Sequence, residues 1–297
     1  MKLARFRAGG STRIGRVEGE EIIDLSGLCD LAGVGASMRQ LLADLDALRP
    51  AIERAAGPRY ALADVVLAPP VGDPQKFLGI GMNYRAHAEE ARQAGIAIPA
   101  SQLWFNKQVS CITGPYDPIE LPQVSDELDY EAELGVVIGR RCRHVDAGDA
   151  RGVIAGYLVV NDVSVRDWLQ KRSPTFTLGK SFDTHGPTGP WLTTDDEVRD
   201  PLDLELRLTV NGEERQHART SDMIYDIYEQ IAYLSTVMTL HPGDILATGT
   251  PSGIGAPTGR FLAAGDVVRV QIEGLGAIEN RVVAEGAADS RRAEVMT

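Results

Sequence analysis

The stretch Asp129-Tyr130-Glu131-Ala132-Glu133-Leu134-Gly135 leads two glutamates into the apolar run Val136 to Ile138. In an extended chain, side chains two residues apart share a face about 6–7 Å apart at the backbone, so Glu131 and Glu133 can both turn toward one cation. The same alternation marks an ordinary solvated strand face, and alone it decides nothing. Asp162 narrows the choice. It closes a second apolar run, Leu158 to Val160, where an acid at the end of a buried strand requires a partner, a metal or a turn to cap with Asn161. Three carboxylates with no histidine or cysteine beside them suit a hard, oxygen-loving ion, Mg²⁺ or Mn²⁺ rather than Zn²⁺, with waters completing the shell.

A second pairing lies upstream. Asn83-Tyr84-Arg85-Ala86-His87-Ala88-Glu89-Glu90 reads as a helix start with Asn83 as its cap. His87 and Glu90, three apart, are then neighbours, and the carboxylate can orient the imidazole and raise its basicity as a general base requires. A surface helix often carries such a pair for no reason but solubility. Two other signals lead nowhere. Gly79-Ile80-Gly81 begins like a dinucleotide fingerprint, but Tyr84 stands where the third glycine belongs. Thr250-Pro251-Ser252-Gly253 lacks the spacing of a nucleophile elbow.

These residues need a scaffold, and the chain is long enough to build one. Its 297 residues carry 30 basic against 42 acidic side chains, a net charge of −12, the wrong sign for a nucleic-acid partner. No apolar run approaches the ~20 residues that span a bilayer, and Met1-Lys2-Leu3-Ala4-Arg5 opens no hydrophobic signal segment, which reads as cytoplasmic. The three cysteines, Cys29, Cys111 and Cys142, are far apart and odd in number, so they read as buried small hydrophobes. Residues 1 to about 68 mix strand-like runs with one helical stretch, Ser37 to Leu48, stopped by Pro50. Beyond the turn-rich Pro69 to Pro74, β signals dominate. Leu204, Leu206, Leu208 and Val210 alternate into Asn211-Gly212, a hairpin signal, and Val267 to Ile272 is a further strand. The clearest helix has Ile224, Ile227, Tyr228, Ile231, Leu234 and Met238 on one stripe, closing near Pro242-Gly243. The absence of a regular βαβ alternation points to an α+β, mainly β body.

The order of the motifs is more specific than any one of them. Gly81 to His87, Asp129 to Leu134, Asn161 to Trp168, Leu178-Gly179-Lys180-Ser181-Phe182-Asp183-Thr184 and Gly249-Thr250-Pro251-Ser252-Gly253-Ile254-Gly255 together resemble the fumarylacetoacetate hydrolase superfamily, in its 2-hydroxyhepta-2,4-diene-1,7-dioate isomerase-like branch. The likeness runs from about Gln75 to Val283. It implies a mixed β-sandwich roll for a catalytic domain at 71–285, while the segments outside it read from their own composition as a small N-terminal domain at 1–70 and a polar, small-residue-rich flexible tail at 286–297. It implies Mg²⁺ or Mn²⁺ held by Glu131, Glu133 and Asp162, His87 as a general base oriented by Glu90, and Lys180 as charge stabiliser. Arg166, Lys107 and Thr250 become substrate contacts, Tyr84 to Gly95 a lid, and the assembly a homodimer. Two departures stand out. The founding hydrolase has a fourth acidic ligand seven residues before its histidine, where this chain has Ile80 and water must serve. Many members carry a glutamine three residues after the arginine that matches Arg166, where this chain has Leu169, with Gln170 next to it.

The expected activity is hydrolysis of a C–C bond in a small diketo substrate, an acylpyruvate or 1,3-diketone, with a metal-stabilised enolate as leaving group. Decarboxylation of a β-keto acid such as oxaloacetate, or isomerisation of a hydroxydienedioate, would use the same site. A non-catalytic metal-binding or scaffolding protein would leave His87, Glu90 and Lys180 without a task.

Overall fold

The alternating residues that open the chain fold as an antiparallel meander. In the computed structural model, which describes residues 1–93, 95–172 and 175–287, it comprises β1 (Lys2–Ala8), β2 (Ser11–Glu18) and β3 (Glu21–Asp24). Three short helices follow, α1 (Ser26–Leu31), α2 (Met38–Ala43) and α3 (Leu45–Arg54), then β4 (Arg59–Ala61) and β5 (Val66–Ala68). The single helix expected before Pro50 is therefore two, broken at Asp44, with Pro50 inside the second. Leu45 and Ile52, buried on either side of the proline, hold α3 to the core, and this packing outweighs the one backbone hydrogen bond a proline removes.

The strands that follow are β6 (Phe77–Gly81), β7 (Leu103–Lys107), β8 (Ile112–Thr113), β9 (Ile119–Leu121), β10 (Leu128–Asp129), β11 (Ala132–Ile138) and β12 (Ile154–Asn161), with α4 (Arg85–Gln93) between β6 and β7. Then come β13 (Ser164–Val165), β14 (Gly186–Thr194), β15 (Glu205–Val210), β16 (Glu213–Arg219), α5 (Ile227–Val237), β17 (Ile245–Ala247), β18 (Val267–Ile272) and β19 (Gly276–Ala284). The main sheet runs β4-β3-β2-β1-β14-β12-β11-β17-β6-β7, and the second β16-β15-β18-β19-β9. Because β1 pairs with β14, the N-terminal meander continues the main sheet. Every residue of β11 and β12 is buried, as strands covered on both faces must be, and this is why they read as continuous apolar runs. Leu134, Val136 and Ile138 of β11 share one core with Leu206, Leu208, Val268, Val270 and Ile278 of the second sheet. Two packed sheets with few helices make the α+β, mainly β architecture anticipated above.

The Asn211-Gly212 turn joins β15 to β16 with both residues at positive φ, 53° and 80°, as a two-residue hairpin of matching twist requires. Asp226 and Glu229 form a capping box at the start of α5, which ends at Val237, short of Pro242, because Met238 turns extended. The three cysteines are free and buried. No helix among the described residues is long and apolar enough to cross a membrane. Of the tail expected at 286–297, residues 288–297 lie outside the described residues.

Candidate active site

In the antiparallel pairing of β11 with β12, Ala132 lies opposite Asn161. Glu131 and Glu133 flank Ala132, and Asp162 follows Asn161, so the register alone delivers three acids to one end of the strand pair. The Asp162 N–H donates to the Glu131 carbonyl at 2.9 Å, and Asn161 Oδ1 accepts the Glu131 N–H at 3.0 Å, which locks the junction. One carboxylate oxygen from each acid lies within 4.8 Å of the others. At 5%, 1% and 0% exposure, Glu131, Glu133 and Asp162 are no solvated strand face.

Buried charges persist only when paired, and here they alternate in a row. Arg166 Nε donates to Asp129 Oδ2 at 2.7 Å and its Nη2 to Glu131 Oε1 at 2.6 Å. Lys180 Nζ bridges Glu131 Oε2 and Asp162 Oδ2, both at 2.7 Å. Lys107 Nζ takes the remaining Asp162 oxygen at 2.6 Å and the Val163 carbonyl at 3.2 Å. Glu133 stands outside the row: its Oε2 accepts the Gly249 N–H at 2.8 Å, and among the described residues no cation makes an ion pair with it, Lys180 being felt only at a distance. The electrostatic consequence is a split. Burial pushes both glutamates up, but at Glu131 the Lys180 and Arg166 charges reverse this and hold it at about 2. At Glu133 burial, with Asp162 and Glu131 as like-charged neighbours, drives it well above the usual carboxylate range. Burial likewise opposes the Lys180 ammonium, yet Asp162 and Glu131 outweigh it and the proton is held more firmly than on an ordinary lysine.

The ion-paired acids Asp129, Glu131 and Asp162 match the three cations Lys107, Arg166 and Lys180, and Glu133, whose carboxyl is held toward its protonated form, would add a fourth negative charge only when a cation replaces that proton. All available donors are carboxylate oxygens. This set fits a divalent oxygen-ligated ion, which would satisfy Glu133 and leave the pocket net positive, ready for an anionic substrate.

The His87–Glu90 pair forms as the spacing requires, with His87 Nδ1 3.2 Å from Glu90 Oε2 on α4. The ring lies near enough to Glu131 for its charge to be felt there. Asn83 does not cap α4. Its amide donates to the Tyr225 and Thr248 carbonyls at 3.0 and 2.8 Å and accepts the Tyr225 N–H at 2.9 Å, while Tyr84 supplies the carbonyl that starts the helix. Those bonds fix the base of α4 against β17 and the segment before α5. The structure thus brings Glu131, Glu133, Asp162, Lys180 and Arg166 together. Lys107 is 0% exposed and lies behind Asp162, and the Thr250 hydroxyl is occupied, donating to the Ala132 carbonyl at 3.0 Å and accepting from Gln216 at 2.9 Å. Two contributors were not singled out in the sequence. Asp129 accepts the N–H groups of Tyr130, Gly255 and Ala256 as well as Arg166, and its two-residue spacing from Glu131 was the available signal. Gln216, in the polar strand Glu213 to Arg219, gave none.

The family profile described as "Fumarylacetoacetate (FAA) hydrolase C-terminal" matches residues 76–283. The chain belongs to the fumarylacetoacetate hydrolase family. Residues 1–70 match a second profile, "Rv2993c-like, N-terminal". A Burkholderia cenocepacia relative, named only as a provisional hydrolase, is 45% identical over 283 residues, 93% of this chain and 96% of its own. The crystal structure of maleylpyruvate hydrolase from Sphingobium sp. SYK-6, in complex with manganese(II) and pyruvate, is 38% identical with a TM-score of 0.81 over 96% of this chain and 99% of that one. The 2-hydroxyhepta-2,4-diene-1,7-dioate isomerase of Mycobacterium marinum is 34% identical with a TM-score of 0.76 over 96% and 99%. This fumarylacetoacetate hydrolase family member therefore shares its scaffold with both hydrolases and isomerases.

Proposed function

We propose that the protein is a Mg²⁺- or Mn²⁺-dependent hydrolase that cleaves a C–C bond in a small diketo acid of the acylpyruvate or 1,3-diketone type. The observation that carries this reading is the His87–Glu90 pair set beside a buried cluster of three carboxylates. A base has no use there unless a proton is to be moved. Glu131, Glu133 and Asp162 would hold the ion, which when bound supplies Lewis acidity toward the substrate's enolate oxygens. Glu90 holds the His87 ring through Nδ1, so that Nε2 takes a proton from water as the water oxygen bonds to the substrate carbonyl. Lys180 supports the charge that develops on the former carbonyl oxygen, the C–C bond breaks as that oxygen reforms its double bond to carbon, the bond's electron pair passes into the enolate of the departing fragment, and a proton returned to carbon completes the reaction. With the ion bound the pocket would be net positive, which favours the carboxylate of a keto acid. The 38% identity with a maleylpyruvate hydrolase supports the same reading. We take the protein to act in the cytoplasm as a homodimer, with residues 1–70 as a small domain beside a catalytic domain at 71–285.

A second reading, isomerisation of a hydroxydienedioate, is favoured by the 34% identity with the M. marinum isomerase. Decarboxylation of a β-keto acid such as oxaloacetate belongs with it, since neither adds water. The test is His87→Ala, assayed at saturating Mn²⁺ against acylpyruvates and against oxaloacetate. Loss of the base should cost hydrolysis ~10²–10⁴-fold and leave any decarboxylation far less affected. Equal losses would remove the water-activating role, and undiminished hydrolysis would remove His87 from the reaction.

A further inference from the structure

Strand β16 is a polar edge, Glu-Glu-Arg-Gln-His-Ala-Arg, and its one buried residue is Gln216, 1% exposed. It sits opposite the buried Leu208 and so faces inward, and the register slips just past it. Leu208 pairs with Gln216 while the next residue, Thr209, pairs with Glu214, so Arg215 is the extra residue of a bulge. The Gln216 carboxamide then makes three hydrogen bonds. Its Oε1 accepts the Ala132 N–H at 2.8 Å, and its Nε2 donates to Thr250 Oγ1 and to the Pro251 carbonyl, both at 2.9 Å.

Ala132 is the residue between Glu131 and Glu133. On its β12 side the backbone is paired, but on the other side β17 reaches only Gly135 to Val137, and the chain beyond it departs at Gly249 with φ +99°. The Ala132 N–H and C=O would face an empty rung. Gln216 takes the first and the Thr250 hydroxyl the second, and the two side chains bond to each other. The turn after Thr250 is pressed against the same bulge: a Cβ on Gly253 would lie 2.0 Å from the Arg215 carbonyl oxygen. The backbone direction at Ala132 sets how Glu131 and Glu133 leave the chain, so whatever holds that rung sets their spacing.

We propose that Gln216 is a positioning residue for the ion: its carboxamide replaces the missing strand beside Ala132 and fixes the separation of the Glu131 and Glu133 carboxylates. It deepens the metal-centred reading above, and the test uses no substrate, so a wrong assignment of the reaction does not touch it. Gln216→Met keeps length and bulk without the amide, and Gln216→Leu serves as a second variant. The comparison variant is Asn280→Leu, which removes an equally buried amide that donates to the Gly114, Pro115 and Asp117 carbonyls away from the ligands. Each protein is stripped of metal and titrated calorimetrically with Mn²⁺ alone, below its measured Tm. The expected result is Mn²⁺ binding weakened about 10–100-fold in Gln216→Met, the usual effect of losing an outer support. Asn280→Leu should lower Tm and leave Mn²⁺ affinity at the wild-type value. Affinity within twofold of wild type in Gln216→Met, or the same loss in Asn280→Leu, would overturn the proposal, because a merely structural amide changes Tm and not the ion's affinity.

Discussion

At the scale of single residues, the site is organised by which acids own a cation. Lys180 is shared by Glu131 and Asp162, is 4% exposed, and stays an ammonium because its two carboxylates outweigh the cost of burial. A fixed, fully formed charge in a dry pocket acts most strongly where charge develops, and that is in the transition state. Lys180→Ala should therefore lower kcat by about 10²–10³-fold while KM changes much less. Steady-state kinetics at saturating Mn²⁺ reads the split, and a raised KM with kcat intact would make Lys180 a ground-state contact instead. Lys107 differs although its pairing looks similar. With 0% exposure and both its bonds on Asp162 and Val163, it orients an acid from behind. Lys180 lies in the Leu178 to Thr184 motif and Lys107 in none of the five, yet nothing in the sequence reveals this difference in placement, because burial is a property of the assembled sheets.

At the scale of elements, the acids and the base ride on different supports. Glu131, Glu133 and Asp162 belong to the β11–β12 pair, whereas His87 belongs to α4, tethered at its base by Asn83. Asn83→Ala would leave the Thr248 carbonyl and the Tyr225 N–H without the amide, while the Tyr225 carbonyl keeps Gln230 Nε2 at 2.9 Å; each orphaned group costs ~1–3 kcal/mol, and α4 would be freed to shift. Hydrolysis should fall about 10–100-fold, since a misplacement of about 1 Å is that expensive, while Mn²⁺ affinity holds. Kinetics and calorimetry on one preparation test this, and a variant that loses Mn²⁺ binding first would join the two supports into one. The strands were legible because alternation and apolar runs are local: Val267 to Ile272 folds as read, and Leu206 to Val210 runs into the Asn211-Gly212 turn. The three acids were legible because a two-residue spacing and a strand end are local too. Gln216 was not, because its role depends on its pairing with Leu208 across the hairpin and on a rung that β17 fails to reach. The Pro50 helix misled for a related reason, since tertiary burial of Leu45 and Ile52 carries α3 through the proline.

At the scale of the whole molecule, burial of one ring makes stability fall in acid. His185 is 0% exposed, with Nε2 2.8 Å from the Glu120 carbonyl and its ring packed on Phe182 at 5.4 Å. Burial dominates and pushes it down to about 3, so the folded protein carries a neutral imidazole. An unfolded chain binds that proton near pH 6.5, and as pH falls below this value the unfolded state takes up a proton the folded state refuses. Stability from His185 is thus complete above about pH 6.5 and declines by ~1.4 kcal/mol per pH unit on the way down toward 3. His185→Gln keeps an amide able to donate to Glu120 and removes the titration. Urea unfolding from pH 7 to 4 should show the wild type losing stability more steeply than this variant, with the curves diverging below pH 6.5. The site's own carboxylates titrate in both proteins and cancel in the difference. Parallel curves would mean that the ring takes up its proton in the folded protein as readily as in the unfolded one, and that the interior around Phe182 admits a charge.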